Sequence, residues 1–288
     1  MLHPRLVLII GICCVSIFPV LVKLAPVNEI TSAFYRLFFA AILFFVLSLG
    51  TRKLRYPGAR KFGTIVVCGI LFASDIAVWN KSIELSSATQ ASLLTNLAPV
   101  WVGIGAYFFL KDKPKRNFWI GTVISLVGMV ILMGWEYFFE LQFDAGFILA
   151  IISSLIYAFY IIASKRILNE VNVINFMFWN MLSASVFLFL LTTIFDTELS
   201  GFSTDTWWYL VLQGVVCQFI GWLCISFALK NMRANRVSVS LLLSVVFTAL
   251  FAWYILSEPI TTNMIIGGMI VLLGIGVTFI ERKSKSII

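Results

Sequence analysis

Ten long hydrophobic runs, separated by short polar loops, constrain this chain more than any other feature of its sequence. The runs span approximately 5–22, 31–50, 62–82, 89–110, 117–134, 145–164, 174–195, 206–229, 235–256 and 263–280. A helix needs about 20 apolar residues to cross a bilayer. In lipid only helices and closed barrels satisfy their own backbone hydrogen bonds, and these runs lack the alternation of barrel strands. They predict an all-α integral membrane protein with ten transmembrane helices.

The composition leads to the same class of protein. Hydrophobic residues make up 61% of the chain and charged residues only 12%, whereas soluble domains carry roughly 25% charged residues. The net charge of +8 would suggest a nucleic-acid partner in a soluble protein. Here the basic residues lie in the loops between hydrophobic runs, where they orient the chain in the membrane. We therefore expect the lipid bilayer, and not nucleic acid, as the partner.

The basic residues are distributed unevenly between the two sides of the predicted bundle. If the N-terminus is cytoplasmic, 18 of the 21 Lys and Arg residues lie in cytoplasmic segments, while Lys23 and Lys81 lie outside and Arg36 lies within a run. Cytoplasmic loops are enriched in Lys and Arg, and one helix more or fewer would scramble this alternation. The pattern predicts ten helices with both termini cytoplasmic, in a bacterial cytoplasmic (inner) membrane.

The second half of the sequence repeats the first after a shift of about 146 residues. Over this shift polar and glycine positions coincide, as in Asn117 with Asn263, Gly121 with Gly267 and Gly128 with Gly274. Five helices per half is an odd number, so the second half must enter the membrane in the opposite orientation. We predict two inverted five-helix repeats, 1–140 and 141–288, with the substrate site between them near the midplane.

The stretch Ser82–Val100, with the sequence SIELSSATQASLLTNLAPV, resembles a signature of the EamA branch of the drug/metabolite transporter (DMT) superfamily. The pattern continues in the first half and recurs in the second half at Asp112, Gly121, Gly128, Glu258, Gly267 and Gly274. The resemblance covers essentially the whole chain and is specific for the superfamily rather than for a substrate. It implies a ten-helix carrier with cytoplasmic termini that exports or exchanges small metabolites such as amino acids.

Two positions depart from the family pattern. Asp112 stands where the motif usually has Glu, and Val245 stands at the position equivalent to Pro99. Pro99 cannot donate a backbone hydrogen bond to Thr95 and therefore predicts a kink. Such a kink is either a hinge for transport or a packed structural feature. Because the second half lacks the proline, identical movement of the two halves is not implied.

Two ionisable residues, Arg36 and Asp75, lie inside the second and third runs. A charge within a membrane helix costs about 2.5–3.5 kcal/mol on insertion scales, so such residues usually face a cavity or a partner. Both depths are measured from the outer ends of the second and third helices, which lie on the same side of the membrane. At 1.5 Å per residue, Arg36 lies about 9 Å and Asp75 about 12 Å from that side. We expect either that they bind the termini of a substrate, with Asp75 a candidate proton relay, or that they form a structural salt bridge.

The other candidate residues are polar and aromatic side chains inside the predicted helices. Trp79 lies one turn from Asp75, and Gln218, Trp222 and Ser226 follow one another at intervals of four residues in the eighth run. Such stripes are typical either of a cavity wall or of hydrogen bonding between helices. The predicted cavity is completed by Arg36, Asn80, Asn96, Tyr157, Tyr160 and Asn180.

These residues favour a transporter over other classes. The sequence has no catalytic metal or nucleophile motif and no nucleotide-binding loop, so we expect no enzyme, no metal, no cofactor and a secondary, non-ATP mechanism. A channel or structural subunit is the alternative outside the carrier class. The near-neutral, amphipathic lining suits amino-acid-like or amphipathic solutes, and export or exchange is expected. A nucleotide-sugar antiporter or an uptake carrier is the alternative within the superfamily, and monomer and homodimer both stay open.

Overall fold

A computed structural model of the protein describes residues 3–110, 113–134, 136, 141 and 143–280. Within these residues ten helices are long and apolar enough to cross a membrane. They are α1 (Pro4–Leu24), α2 (Glu29–Gly50), α3 (Ala59–Leu85), α4 (Gln90–Phe109), α5 (Arg116–Met133), α6 (Ala145–Leu168), α7 (Val173–Ile194), α8 (Thr204–Asn231), α9 (Ala234–Leu256) and α10 (Thr262–Phe279). The all-α, ten-helix prediction is confirmed. Asp112, one of the motif positions, lies outside the described residues.

Helix α6 ends at Leu168, beyond its predicted end at 164, and a basic residue in its last turn bonds to the end of another helix. Nζ of Lys165 donates hydrogen bonds of 2.8–2.9 Å to the backbone carbonyls of Leu229, Lys230 and Met232 at the end of α8. A cation is favourable at the carbonyl end of a helix. The bonds also join the ends of α6 and α8 on the side of the bundle where the N-terminus begins, called the N-terminal side below.

Helices α5 and α10 pack along their length through small residues. A Cβ atom added to Gly121 would meet the carbonyl oxygen of Gly274, and one added to Gly267 would meet the carbonyl oxygen of Gly128. Glycine permits this backbone approach in a membrane interface. The 146-residue shift converts each of these two contacts into the other. Two halves related by a two-fold axis would produce this reciprocity.

A hydrogen bond lies where such an axis would cross the α5–α10 interface. The hydroxyl of Ser125 donates to the carbonyl oxygen of Val271 over 3.4 Å, and these two positions are 146 residues apart. The remaining helices are arranged consistently with the same relation. Helix α3 packs on α6 as α8 packs on α1, and α2 packs on α7. This packing is consistent with the predicted inverted repeats.

Three helices are interrupted. Helix α1 breaks at Ile17, directly before a segment that starts at Phe18 and has Pro19 in its first turn. Helix α4 breaks between Thr95 and Ala98, directly before Pro99. Helix α9 breaks at 241–242, positions equivalent to 95–96, although no proline follows there. The break in the second half was not expected from the sequence, and it shows that proline is not required for it.

Helix α8 contains a π-helical segment, Gln213–Gly221. In this geometry each N–H bonds five residues back instead of four, and such segments occur frequently at functional sites. Gln213 and Gln218 are five residues apart, so the π-helix brings them to nearly the same side. Both side chains are fully buried. The segment therefore turns polar amides into the bundle, toward α2 and α7.

Candidate functional site

Four aromatic rings from three helices form a cluster inside the bundle. Phe72 of α3 lies 4.7 Å from Trp222 of α8 and 4.9 Å from Tyr160 of α6, measured between ring centroids. Tyr157, one turn before Tyr160, lies 6.4 Å from Trp222. These separations are typical of interacting aromatic pairs. We refer to Phe72, Tyr157, Tyr160 and Trp222 as the aromatic cluster.

Asp75 adjoins the aromatic cluster and is buried. Its Oδ1 atom accepts a hydrogen bond of 2.6 Å from the hydroxyl of Ser153. Asp75 lies one turn after Phe72 on α3, and Ser153 lies one turn before Tyr157 on α6, so the helical spacing places all four side chains together. The charge of Asp75 interacts electrostatically with Tyr157 and with Arg36. The site thus contains one carboxylate beside a set of ring faces.

Arg36 lies close enough to Asp75 for their charges to interact, but the two side chains form no ion pair. The guanidinium carbon of Arg36 instead lies 4.0 Å from the centroid of the Phe18 ring, a cation–π contact. The Nε atom of Arg36 is buried and has no hydrogen-bond partner among the described residues. The direct salt bridge, one of the two expected alternatives, is therefore absent.

Two buried amides, Asn180 and Gln218, lie on α7 and α8. Asn180 is fully buried, and neither polar atom of its side chain has a hydrogen-bond partner among the described residues. Gln218 donates to the sulfur of Met181 over 3.1 Å, while its Oε1 atom has no such partner. The Tyr160 hydroxyl lies near Asn180 and is placed to hydrogen-bond with one of its polar atoms. A buried amide atom without a partner is costly, so Gln218 and the remaining polar atom of Asn180 are candidates to bind a polar group.

Other candidates are placed away from the aromatic cluster. The Ser226 hydroxyl donates to the sulfur of Met177 over 3.0 Å, and Asn96 donates to the carbonyl of Ser92 at the break in α4. Trp79 packs in a second hydrophobic cluster with residues of α4 to α6, α9 and α10, and its buried Nε1 has no partner among the described residues. The hinge role predicted for Pro99 stays a prediction.

Asn80 lines a hollow of about 800 Å³ on the side of the bundle opposite the N-terminal side. The hollow lies where α2 begins and α3 and α7 end, and Ser74, the neighbour of Asp75, also lines it. Glu29 and Glu84 are at its rim. Five residues of α3 separate Asn80 from Asp75, about 7.5 Å along the axis. The hollow therefore approaches the carboxylate from this side.

Sequence reasoning missed three residues of the site. Phe18 and Phe72 are apolar residues in apolar runs, so nothing distinguishes them from packing residues. Ser153 was detectable, because it precedes Tyr157 and Tyr160 at helical spacing on α6. The described residues contain no group of three or more His, Cys, Asp or Glu side chains that could bind a metal ion.

The chain was compared with known proteins. The sequence profile of the EamA-like transporter family matches residues 5–134 and 144–280. The chain belongs to the EamA-like transporter family. It is thus a multi-pass membrane transporter of the DMT superfamily.

Curated relatives are similar to this EamA-like transporter over most of its length. The uncharacterized transporter YoaV of Bacillus subtilis (strain 168) is 23% identical over 257 residues, which cover 86% of this chain and 87% of YoaV. An S-adenosylmethionine uptake transporter of Rickettsia felis is 22% identical over 257 residues, which cover 88% of this chain and 84% of that protein. One protein of known crystal structure aligns with a TM-score of 0.82 over 96% of both chains at 16% identity. At that identity the likeness shows the fold alone.

Proposed function

We propose that this EamA-like transporter is a secondary carrier of neutral or zwitterionic solutes, either amino-acid-like or small and amphipathic, and that it exports or exchanges them by alternating access. The observation that carries the proposal is the position of Asp75 beside the aromatic cluster inside the bundle. A carboxylate pairs with an ammonium group, and ring faces attract ammonium ions and stack on apolar groups. The site is matched to a solute with both features.

Arg36 supplies the complementary charge. Its guanidinium group lies over the ring of Phe18, and its Nε atom has no hydrogen-bond partner among the described residues. A guanidinium can bind a carboxylate through two parallel hydrogen bonds. With Asp75 for the amine and Arg36 for the carboxylate, the site balances one charge against the other. Phosphate-bearing solutes such as nucleotide sugars fit less well, because they usually call for clustered cations.

The buried amides of Asn180 and Gln218 add polar contacts without adding charge. The Oε1 atom of Gln218 has no hydrogen-bond partner among the described residues, and Asn180 has only the Tyr160 hydroxyl near its two polar atoms. Leaving such atoms unsatisfied costs about 1–3 kcal/mol each. A polar solute that bonds to these atoms recovers this free energy, which supports the inner faces of α7 and α8 as part of the proposed substrate site.

Alternating access requires that the site open to one side at a time. The hollow beside Asn80 approaches the site from the side opposite the N-terminus. On the N-terminal side, Lys165 joins the ends of α6 and α8 through three hydrogen bonds. We propose that these bonds break when the carrier opens to the N-terminal side. The interruptions in α1, α4 and α9 are candidate bending points for that movement.

The Rickettsia felis relative named as an S-adenosylmethionine uptake transporter favours a second candidate within the same class. S-adenosylmethionine combines an amino-acid group, a cationic sulfonium and an aromatic base, all of which the aromatic cluster and Asp75 could bind. For this candidate the direction is uptake. The test must therefore determine both the direction of transport and the identity of the solute.

The test is counterflow in liposomes that contain the purified protein. Vesicles loaded with neutral amino acids, S-adenosylmethionine, a sugar phosphate or a nucleotide sugar are given the matching labelled solute outside. We expect accumulation of an amino-acid-like or amphipathic solute and none of the phosphate-bearing solutes. Robust exchange of nucleotide sugars without any exchange of amino-acid-like solutes would overturn the proposal. Passage that never saturates would indicate a channel.

The membrane and the orientation are proposed as well. We propose a bacterial cytoplasmic membrane, and from the loop charges we propose that both termini lie in the cytoplasm. Reporter fusions after Ile288 and within residues 136–144 should report opposite sides of that membrane. Reporters on the same side would contradict the orientation and the reversal between the two halves.

A further inference from the structure

Three neighbouring hollows on the N-terminal side meet at one residue, Arg166, near the end of α6. The first, of about 580 Å³, lies between the start of α3 and the end of α6 and is lined by Arg60, Lys61, Arg166 and Glu170. The second, of about 430 Å³, continues from Arg166 and Glu170 to Phe109 at the end of α4. These two hollows lie at helix ends, where a membrane protein meets the lipid headgroups.

The third hollow is apolar and lies toward the middle of the membrane from the other two. It measures about 360 Å³ and is lined by Leu71, Phe109, Phe159, Ile162 and Ala163 together with Arg166. The rings of Phe109 and Phe159 are more than half exposed, so the hollow opens to the outside of the bundle. A polar pocket at headgroup level is thus continuous with an apolar groove that faces the lipid chains.

The charge of the polar part is positive. Lys61 forms an ion pair of 3.4 Å with Glu170, which neutralises both. Arg60 and Arg166 are exposed, and their guanidinium groups have no ion pair or hydrogen bond with a described residue. Two guanidinium groups on facing helices form a binding site for a phosphate group. Basic pockets between transmembrane helices at this depth bind anionic lipid headgroups.

We infer that this composite hollow binds one anionic phospholipid. The phosphate contacts Arg60 and Arg166, and an acyl chain lies in the groove between Phe109 and Phe159. Because the basic hollows continue into the apolar groove, the structure favours a lipid over a soluble anion. A free phosphate would leave the groove empty. The lipid bridges the start of α3 and the ends of α4 and α6, and α3 and α6 carry Asp75 and Ser153. Its binding would therefore favour one relative position of these helices.

Native mass spectrometry of the purified full-length protein in detergent tests the inference. Phosphatidylglycerol and phosphatidylcholine with the same acyl chains are titrated in parallel. We expect one phosphatidylglycerol to be retained in preference to phosphatidylcholine. The double variant Arg60→Gln with Arg166→Gln should bind phosphatidylglycerol roughly twenty-five-fold more weakly, since each basic residue near an anionic headgroup contributes about fivefold.

The matched control is the double variant Lys115→Gln with Arg116→Gln, which removes two cations from the start of α5, on the same side but outside the hollows. It should bind phosphatidylglycerol like the unmodified protein. Soluble glycerol phosphate serves as the headgroup alone and should not displace the lipid.

Equal losses in both double variants, equal retention of the two lipids by the unmodified protein, or displacement by glycerol phosphate would each overturn the inference. The comparison of the two lipids on the unmodified protein needs no variant, so a failure of a variant to fold does not remove the test.

Discussion

The hydroxyl of Ser153 donates a hydrogen bond of 2.6 Å to Oδ1 of Asp75 and so joins α6 to α3 inside the bundle. The other carboxylate oxygen makes no hydrogen bond with a described residue. The serine therefore orients the carboxylate, while one oxygen stays available to a substrate. In the proposed site, Asp75 therefore binds the substrate and Ser153 positions the carboxylate.

The variant Asp75→Asn should weaken exchange of a zwitterionic solute by about tenfold to a hundredfold, because a charged hydrogen bond contributes about 1.5–3 kcal/mol. Ser153→Ala should have a smaller effect in the same direction, since the carboxylate remains but loses its orientation. Half-saturating concentrations in the liposome assay measure both effects. The control is Ser185→Ala, a buried serine that bonds to the carbonyl of Leu182 in its own helix. Unchanged exchange by Asp75→Asn would remove the carboxylate from the proposed site.

Trp222 should matter for transport more than for folding. In Trp222→Ala the aromatic cluster loses its contacts with Phe72, Tyr157 and Tyr160, so exchange should weaken while expression persists. Trp222→Phe retains a ring and should keep part of the activity. Trp208→Ala is the matched control on the same helix, because this side chain is 62% exposed and lies near the start of α8. Equal transport by the Trp222 and Trp208 alanine variants would argue that the ring only packs.

The relation between Arg36 and Asp75 can be measured by a double-mutant cycle. Removing one partner of a buried ion pair typically costs about 3–5 kcal/mol. Since each side chain here has another neighbour, Phe18 for Arg36 and Ser153 for Asp75, the coupling energy should be well below that range. The free energies of unfolding in SDS titrations of Arg36→Gln, Asp75→Asn and the double variant give this coupling. A coupling of several kcal/mol would mean that the two residues pair directly in another state of the carrier.

The fold was predictable because the bilayer fixes the length of each helix, and because basic loops alternate along the chain with loops that carry few basic residues. Neither constraint depends on tertiary contacts. The depths of Arg36 and Asp75 followed from the same arithmetic, and the structure does bring the two charges near each other. Their direct contact was not predictable, because competing partners such as Phe18 and Ser153 are chosen by tertiary packing.

Local departures from ideal helices were the least predictable feature. Pro99 correctly predicted a break in α4, but the equivalent break in α9 has no proline. The predicted stripe of Gln218, Trp222 and Ser226 rests on α-helical spacing. The segment Gln213–Gly221, which contains Gln218, is instead π-helical. Gln218 lies in this segment and contacts Met181 of α7, whereas Trp222, just after it, joins the aromatic cluster. Ser226 lies in the α-helical part and contacts Met177. Periodicity cannot detect such a change of helix type.

The α5–α10 interface gives the sharpest test of packing, because α10 offers two glycines in different surroundings. A Cβ atom on Gly274 would lie 2.7 Å from the carbonyl oxygen of Gly121 and would also meet the backbone of Ser125. Backbone atoms cannot move aside without separating the helices. A Cβ atom on Gly276, two residues later, would have no atom within 4 Å among those the structure describes. We therefore expect Gly274→Ala to destabilise the protein by about 1–3 kcal/mol, the usual cost of overpacking. Gly276→Ala should be neutral or slightly stabilising, because alanine favours a helix.

Melting temperatures in detergent compare the Gly274→Ala and Gly276→Ala variants directly. Similar melting temperatures for both would show that α5 and α10 do not approach as closely as described.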